Sequence, residues 1–483
     1  MVPPMLPAPI RAIFQRGDGA MEISGDGRPA SYHRAGAGFV LAGLLLTGCG
    51  GRGETARGAA PRTPASLILV SIDTLRADHL GAYGYARPTS PNLDRLARRG
   101  VRFADVVTQS TSTKMSHKSI FASALPTRHR GSLAGLETLA ETLAAAGYDT
   151  AAFVDGGYMR NRFGNGDGFA LYVDDLSGAA LPGERPVADR KGGGFEVLLP
   201  RAQAWLAERS SRPFFLFLHS YDVHCPYDPP EEFRRLFEDS GARSVDLEGL
   251  CGWRDFGPQR LTPAVRAAIR DRYDGGIRHA DARLGAFLDR LGAAGLLERT
   301  VVAVVSDHGE SLGERDWVGH NRLHVPQLFV PWIMAGPGLP APRVVETPAE
   351  LVDVMPTLLD LLGYPVPEGL AGMSLMPAVQ GTGGVPDRLR VCEIRGARAL
   401  LRGPWILVQR IRDGAPLWLY RRDLDPEAAR NLASQNPEVV REIESAWAAS
   451  AARLGVASGD LPADEAVDEE RVRQELRTLG YLD

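Results

Sequence analysis

Short apolar runs alternate with amphipathic stretches along most of the chain. Leu67–Ile72, Phe214–His219 and Val301–Ser306 are almost wholly apolar and are bounded by polar, turn-forming residues. Runs of this kind are typical of strands that are buried on both faces. Between them lie segments such as Pro91–Gly100, whose initial Pro and final Gly are typical of a helix. The alternation predicts an α/β fold with a mostly parallel central sheet covered by helices on both faces.

The same patterns predict one strand at Val101–Val107, helices at Met115–Leu125 and Pro348–Leu362, and one or two helices within Thr262–Leu296. The pattern changes near residue 388. Beyond it, short strand-like segments separated by turn signals predict a small antiparallel sheet, followed by a helix. We therefore expect a main α/β domain at residues 66–387 and a C-terminal α+β subdomain at residues 388–483.

Composition places few restrictions on function. The chain has 483 residues, of which 44% are hydrophobic, and its formal net charge is −4. This length is ample for a large core. The sequence contains no basic stripe with interleaved aromatic residues, so no nucleic-acid partner is predicted. Nothing in the pattern indicates the oligomeric state.

The N-terminal residues are typical of an export signal. Ala35–Leu46 is an uncharged stretch that is too short to span a bilayer as a helix. The residues that follow, ending at Cys49, resemble the bacterial lipoprotein cleavage box, in which the Cys becomes the lipidated first residue. Residues 1–49 are therefore predicted to be a lipoprotein-type signal segment, with Met21 as a possible start. An ordinary secretory signal with a coincidental Cys is the alternative.

Residues 50–65 are rich in Gly and Pro and are predicted to be a flexible tether. The expected location is outside the cytoplasm, on a membrane that the protein contacts through a lipid on Cys49, facing the periplasm or the cell exterior. In that environment one disulfide can form among Cys225, Cys251 and Cys392, and the sequence does not distinguish the three pairings.

Metal-binding residue types follow two of the predicted strands. Asp73 comes directly after Leu67–Ile72, and Asp307 and His308 come directly after Val301–Ser306. Because ligands of open α/β sheets bind beyond the carboxyl ends of the strands, we expect these side chains to meet in one crevice. Two carboxylates and an imidazole predict a divalent metal site. The alternative is that each Asp is only a turn or N-cap residue.

Six motifs, in this order along residues 66–483, resemble the sulfatase-like family of the alkaline phosphatase superfamily. They are SIDTLRADHLGAYGYARPTSPNLDRLARRGVRF, HSYDVHCPYDPP, SDHGESLG, LVDVMPTLLDLLG, WLYRRDLDPEAARNLA and LRTLGYL. The resemblance implies that Asp73, Asp307 and His308 bind a metal ion. It also implies that His224 contacts the anion of a small anionic ester substrate, and that His320 assists the leaving group.

The segment around Thr113 departs from the family pattern. The sulfatase signature has a Cys that is oxidised to formylglycine, followed by Pro and Arg. Here Thr113 stands at the Cys position, Met115 at the Pro position and His117 at the Arg position. The sequence has no Cys between residues 49 and 225, so no formylglycine is expected.

Threonine changes the expected chemistry. Formylglycine hydrate expels sulfate by returning to the aldehyde, and a sulfate ester of Thr has no such route. In a phosphoryl-Thr intermediate, water can attack phosphorus and release the phosphate. The imidazole of His308 favours Mn²⁺ or Zn²⁺, with Ca²⁺ possible. Calcium sulfatases also carry a second Asp where this chain has Thr74. The catalytic residues are thus predicted to be Thr113, His224 and His320.

Alternatives exist for the nucleophile and for its neighbours. Thr113 lies near a predicted helix start, where a hydroxyl benefits from the helix dipole but is also a common plain N-cap. Thr111 and Ser112 compete with it for the nucleophile position. Lys114 and His117 are expected on a solvated helix face, and anion binding by these residues is the alternative.

The leading hypothesis is an exported, metal-dependent hydrolase of sulfuric or phosphoric (phosphonic) esters, with the chemistry favouring phosphoryl esters. A phosphoethanolamine-type transferase and a non-catalytic binding protein of the same fold are the alternatives.

Overall fold

The computed structural model describes residues 65–174, 193–209, 211–238, 245, 247, 261–340 and 342–456. The predicted signal segment with Cys49, all but the last residue of the tether, Cys251 and the terminal LRTLGYL motif lie outside the described residues. The predictions made for them therefore stay predictions.

The described residues form short strands and helices in alternation along most of the chain. The strands are β1 (Ser66–Ile72), β2 (Val101–Phe103), β3 (Val106–Val107), β4 (Asp149–Val154), β5 (Leu171–Val173), β6 (Phe214–Ser220), β7 (Thr300–Val305), β8 (Ser311–Leu312), β9 (Val318–Gly319), β10 (Trp332–Ala335), β11 (Arg343–Val345), β12 (Ala349–Glu350), β13 (Arg390–Ile394), β14 (Ala397–Arg402), β15 (Trp405–Arg410) and β16 (Pro416–Arg421).

The α-helices are α1 (Pro91–Ala97), α2 (Thr113–Ala122), α3 (Pro126–His129), α4 (Leu139–Ala145), α5 (Gly194–Ala207), α6 (Glu231–Arg234), α7 (Pro263–Ala293), α8 (Val325–Leu328), α9 (Val354–Leu362), α10 (Met376–Gln380) and α11 (Pro437–Leu454). Short 3-10 helices occur at Ala77–His79, Gly81–Tyr83, Gly157–Met159, Asn161–Phe163, Leu297–Arg299, Glu314–Asp316, Leu351–Asp353 and Ala433–Gln435.

The central sheet has eight strands in the order β11-β2-β10-β7-β1-β6-β4-β5. Its strands run parallel except β10, which is antiparallel to both of its neighbours, β2 and β7. The sheet is therefore mixed but mostly parallel, as predicted. The three central strands, β7, β1 and β6, end at the same edge, and this edge carries the candidate site.

Helices cover both faces of this sheet. Successive residues of β1 point to opposite faces, so Ile68 and Val70 join one apolar cluster while Leu67 and Leu69 join the other. The first cluster includes residues of α1, α5 and α7, and the second includes residues of α2, α4, α9 and α10. Burial on both faces explains why the strand sequences are continuously apolar.

The C-terminal part forms a separate antiparallel sheet in the order β13-β14-β15-β16. On one face Leu400, Leu407 and Leu419 pack with residues of α11. On the other face Leu401 and Ile406 pack against the main body. The small antiparallel sheet and the following helix are confirmed.

Several predicted element boundaries are wrong. Val101–Val107 is not one strand, because the chain leaves the central sheet after β2 and β3 pairs with β12 instead. The helix predicted at Pro348–Leu362 begins only at Val354, after that strand pairing. Thr262–Leu296 holds one helix, α7, whose start Thr262 caps. Helix α2 starts two residues earlier than predicted.

Among the described cysteines, Cys392 is a free, buried thiol and Cys225 is disulfide-bonded. The two pairings that include Cys392 are therefore excluded. In the part of the chain that the structure describes, no helix combines the length and apolarity needed to cross a membrane.

Candidate active site

Asp73 and Asp307 lie just beyond two neighbouring strands at the centre of the sheet. β1 pairs in parallel with β7, so the carboxyl ends of both strands meet at one edge. One ligand atom from each of Asp73, Asp307 and His308 lies within 4.8 Å of the others, and all three residues are buried. The parallel pairing thus brings together the three predicted metal ligands.

These side chains fit a divalent cation. Asp73 Oδ1 and Asp307 Oδ2 are buried and have no hydrogen-bond partner among the described residues. Burial raises the pKa of Asp73 to about 7. Burial, and then the charge of Asp73, raise the pKa of Asp307 well above its ordinary value. Two such carboxylates and an imidazole are ligand types for a divalent metal ion, so Asp73, Asp307 and His308 are the residues that would hold it.

Thr74 supports this cluster through its backbone. Its hydroxyl donates to the Asp73 carbonyl at 2.7 Å, and its N–H donates to Asp307 Oδ1 at 3.3 Å. The residue has a left-handed φ of 57°, which is uncommon for a β-branched side chain. Thr74 therefore positions the Asp307 carboxylate through its N–H, while its hydroxyl is engaged with the Asp73 backbone.

Thr113 lies at the start of α2, and its side chain reaches the same cluster. Thr113 Oγ1 lies 3.4 Å from His308 Nε2. The hydroxyl is also close enough to the Asp73 carboxyl to lower the pKa of that group against the effect of burial. The N-cap of α2 is Ser112, so the alternative that Thr113 is a plain N-cap is wrong. The hydroxyl of Thr111, a competing candidate, has no hydrogen-bond partner among the described residues.

His224 and His320 meet edge to edge beside this cluster. The two Nε2 atoms lie 3.2 Å apart, and the ring centres of His320 and His308 are 4.4 Å apart. The Nδ1 atom of His224 contacts the Cys225 carbonyl at 2.5 Å, and that of His320 contacts the Thr111 carbonyl at 3.0 Å. Because a carbonyl only accepts, both Nδ1 atoms carry protons.

The two facing Nε2 atoms are therefore both acceptors unless one proton lies between them. Burial lowers the pKa of His224 to about 4 and that of His320 to about 3, and the charge of His224 lowers the latter further. His308 has the same arrangement, because its Nδ1 contacts the Gly309 carbonyl at 3.0 Å. Three imidazoles thus present Nε2 lone pairs to one crevice, where they can accept hydrogen bonds or bind a cation.

His117 and His219 belong to the site but were not predicted there. His117 is fully buried, so its expected place on a solvated helix face is wrong. Its Nδ1 donates to the Thr113 carbonyl at 2.8 Å, and its Nε2 lies 2.9 Å from the Ser71 hydroxyl. His219 Nε2 lies 3.2 Å from Asp73 Oδ2 and donates to it. His117 packs against the sheet because it lies one helical turn after Thr113, on the same face of α2.

Glu310 is a further buried acid that sequence reasoning missed. It is fully buried, and neither carboxylate oxygen makes a hydrogen bond within the described residues. Burial, and then the charges of Asp73 and Asp307, raise its pKa well above the ordinary value. Its position three residues after Asp307 was the available signal.

Comparison with known proteins identifies the family. The sulfatase family profile matches residues 65–364, which is more than half of the chain. The chain is 26% identical over 386 residues to an arylsulfatase of Clostridium perfringens, covering 65% of this chain and 78% of the relative. It is 27% identical over 476 residues to the choline-sulfatase of Rhizobium meliloti, covering 85% and 90%.

A solved structure supports the same assignment at the level of fold. The phosphonate monoester hydrolase of Agrobacterium radiobacter superposes with a TM-score of 0.68 at 22% identity, covering 81% of this chain and 96% of that chain. The chain belongs to the sulfatase family of the alkaline phosphatase superfamily.

Proposed function

We propose that this protein is a metal-dependent hydrolase of phosphoric or phosphonic esters in which Thr113 is the nucleophile. One observation carries the proposal: the hydroxyl at the formylglycine position lies 3.4 Å from His308 Nε2, beside the three residues that would hold a metal ion. An ordinary alcohol is a weak nucleophile unless its surroundings lower its pKa. A cation bound by Asp73, Asp307 and His308 would do so and would polarise the ester oxygens.

The side chain at position 113 favours phosphorus over sulfur. Family membership by itself suggests sulfate esters, which are the substrates that the names of the arylsulfatase and choline-sulfatase relatives imply for those proteins. A sulfated Thr has no aldehyde through which the sulfate could be expelled. A phosphorylated Thr, in contrast, is released by attack of water on phosphorus. The fold shared with a phosphonate monoester hydrolase is consistent with this choice.

The residues of the chain would act in two steps. Thr113 gives up its proton to solvent water, and its Oγ bonds to phosphorus while the bond from phosphorus to the leaving-group oxygen breaks. A proton held between His224 and His320, whose Nε2 atoms are 3.2 Å apart, passes to that oxygen. Water then attacks phosphorus and the bond to Thr113 breaks. One proton of the water restores the Thr113 hydroxyl, the other leaves on the phosphate, and a proton from solvent recharges the His224–His320 pair.

The bound ester would itself charge the two histidines. Their pKa values are lowered by burial in the ligand-free protein. An anion placed within a few ångström of an imidazole favours its protonated form and raises its pKa. His224 is then protonated toward the anion, and His320 is the nearest donor to the leaving group.

The experiment is a comparison of esters and metals. Purified protein is stripped of metal, loaded with Mn²⁺, Zn²⁺ or Ca²⁺, and assayed with nitrophenyl phosphate, bis-nitrophenyl phosphate, a nitrophenyl phosphonate and nitrophenyl sulfate. We expect phosphoryl or phosphonyl turnover with Mn²⁺ or Zn²⁺. Turnover of the sulfate alone would overturn the proposed substrate class.

Two further outcomes separate the alternatives. Protein that binds no stoichiometric metal and turns over none of the esters supports the non-catalytic binding protein. Release of nitrophenol that rises steeply with added glycerol or ethanolamine, with phosphate transferred to the alcohol, supports a transferase. Wild-type protein and the Thr113→Ala variant are compared in each assay, so that turnover by a contaminating phosphatase is recognised.

We also propose that the protein is exported and lipid-anchored through Cys49. The support is the uncharged stretch Ala35–Leu46 directly before the cleavage-box-like residues. Labelling of cells with an alkyne fatty acid should mark the wild-type protein and leave Cys49→Ser unmarked. A labelled Cys49→Ser protein would contradict the anchor.

A further inference from the structure

A cavity of about 220 Å³ lies between the segment that follows His320 and the outer strands of the C-terminal sheet. Its polar and aromatic lining includes Arg315, Arg322, His324, Trp418 and Tyr420. The cavity belongs neither to the metal-ligand cluster nor to the His224–His320 pair, and the proposed chemistry does not use its side chains.

The lining carries positive charge that has no counter-ion. In the described part of the chain, neither Arg315 nor Arg322 has a carboxylate within ion-pair distance. The acidic neighbours of Arg315 are engaged elsewhere, because Glu314 pairs with Arg76 at 2.6 Å and Asp316 pairs with Arg266 at 2.5 Å. An anion entering the cavity would therefore meet two guanidinium groups that form no competing ion pair.

Aromatic rings support both guanidinium groups. The Arg315 Cζ atom lies 5.2 Å from the centre of the Trp418 ring, and the Arg322 Cζ atom lies 4.2 Å from the centre of the Trp317 ring. The Trp418 ring is held in place by its Nε1–H, which donates to the Ala428 carbonyl at 3.1 Å. These contacts restrict the arginine side chains without neutralising them.

Two buried polar groups at the same cavity lack partners. Tyr420 is 1% exposed, and its hydroxyl has no hydrogen-bond partner among the described residues. His324 Nδ1 is likewise buried without a partner in that part of the chain. Burial lowers the pKa of His324 to about 4, and the charges of Arg315 and Arg322 add to this shift. Buried groups without partners are uncommon unless a ligand or water satisfies them.

The segment that carries the cationic residues is fixed to the active site. Asn321 N–H and His320 Nδ1 both donate to the Thr111 carbonyl, at 3.2 Å and 3.0 Å. The Arg322 N–H donates to the Gln327 side chain at 2.7 Å. Because two residues span at most about 7 Å, the Cα atom of Arg322 lies within that distance of the Cα atom of His320. Arg322, which lines the cavity, is therefore close in space to the backbone of the predicted leaving-group residue.

We propose that this cavity is a subsite for a second anionic group of the substrate, borne on a ring or another flat apolar body that lies against Trp418. The proposal rests on the proposed function, because it describes the leaving-group side of the same ester. The preferred substrates would be esters whose alcohol carries a carboxylate, a sulfate or a second phosphate.

The test compares esters that differ only in one carboxylate. Phenyl phosphate is compared with 4-carboxyphenyl phosphate and with the longer 4-(2-carboxyethyl)phenyl phosphate, and phosphate release is measured with the full-length protein. A charge-assisted hydrogen bond raises binding affinity about tenfold or more. We expect kcat/KM to be about tenfold higher for at least one carboxylated ester, mainly through KM. In the Arg315→Ala/Arg322→Ala variant, kcat/KM for the carboxylated ester should be about equal to kcat/KM for phenyl phosphate.

Arg410→Ala is the matched control, because Arg410 lies on the same sheet but pairs with Asp413. It should keep the wild-type ratio. No preference for either carboxylated ester, or a preference that the double Arg variant retains, would overturn the subsite.

A failure of the proposed function is distinguished by binding. If the wild-type protein turns over none of these esters, calorimetry with the product alcohols 4-hydroxybenzoate and 3-(4-hydroxyphenyl)propionate tests the subsite without chemistry. Binding by the wild type that is lost in the double Arg variant supports the subsite, and equal or absent binding in both overturns it. Thermal unfolding of each variant confirms that it is folded.

Discussion

The hydroxyl oxygen of Thr113 lies 3.4 Å from Nε2 of His308, although 195 positions separate the two residues in the chain. The contact exists because α2 begins at the same sheet edge at which β7 ends. It joins Thr113, the predicted nucleophile, to His308, a predicted metal ligand. Most of the chemistry proposed for this protein depends on this contact, and the predictions below test it and its surroundings.

Thr113→Ala should abolish ester turnover while the protein stays folded. Loss of a covalent nucleophile costs roughly a thousandfold or more in kcat. Thr113→Ser keeps the hydroxyl and should retain measurable turnover. Thr111→Ala is the matched control, since Thr111 is buried nearby and its hydroxyl has no partner among the described residues. A Thr113→Ala variant with near wild-type kcat would remove Thr113 from the mechanism.

Asp307→Asn should lose stoichiometric metal. Asp307 and Asp73 each have a buried carboxylate oxygen with no hydrogen-bond partner among the described residues. An amide is a much weaker ligand than a carboxylate for Mn²⁺ or Zn²⁺. Metal content is measured by elemental analysis after dialysis, with Asp316→Asn as a control outside the site. Chelation of the wild type should also lower its melting temperature, because metal that binds only the folded state stabilises it. Full metal content in Asp307→Asn would place the ion elsewhere.

Metal affinity should fall as the pH is lowered through about 7. Burial raises the pKa of Asp73 to about 7 in the metal-free protein and raises that of Asp307 well above its ordinary value. Below these values the carboxyl groups hold protons, which compete with the metal, and above them the carboxylates are free to bind it. Calorimetric titration of Mn²⁺ between pH 5.5 and 8.5 measures the dependence. An affinity that is constant over this range would contradict the assignment of both Asp residues as ligands.

His117→Gln should lower kcat clearly while changing the free energy of unfolding little. His117 links the Thr113 carbonyl to the Ser71 hydroxyl, and so holds the start of α2 against β1. Misplacement of a reacting group by about 1 Å can lower the rate about a hundredfold. His129→Gln is the control, because His129 is also buried and contacts the Ser119 hydroxyl at 3.1 Å. Similar losses of kcat in both variants would show that His117 has only a packing role.

Asp105→Asn should destabilise the attachment of the C-terminal sheet. Asp105 Oδ1 lies 2.8 Å from Arg390, and the carboxylate also pairs with Arg422. Burial by itself would raise the pKa of Asp105, but the two arginines outweigh it and hold the pKa below the ordinary value. Removing the carboxylate leaves Arg390 buried without its partner, which costs about 3 kcal/mol. Denaturant unfolding measures the loss, and the exposed Asp423→Asn should show no measurable change.

The pH dependence of the same pair has a definite sign. Because the folded-state pKa of Asp105 is lowered, its contribution to the free energy of unfolding is complete above the unfolded-state value of 3.8. The contribution is lost as the pH falls below that value. Asp105→Asn should therefore flatten the acid limb of the stability profile, and an unchanged limb would mean that the pair contributes little.

The sequence predicted the layered architecture because its signals are local. Each central strand is buried on both faces, so its residues are continuously apolar, and Pro and Gly mark the helix ends. Boundaries were less predictable where pairing between distant segments decides them. Val101–Val107 has the composition of one strand, but its two halves pair in different sheets, with β11 and with β12.

The sequence by itself also determined where Asp73, Asp307 and His308 would meet, because parallel neighbouring strands bring their carboxyl ends to one edge whatever covers them. Only the tertiary structure decided the rest of the site. His117 became part of it through the packing of α2 against the sheet, and His219 through the pairing of β6 with β1. The His224–His320 contact depends on two loops of distant origin. Such contacts depend on how segments that are distant in the chain fold over the sheet edge. No local pattern of residues predicts this arrangement.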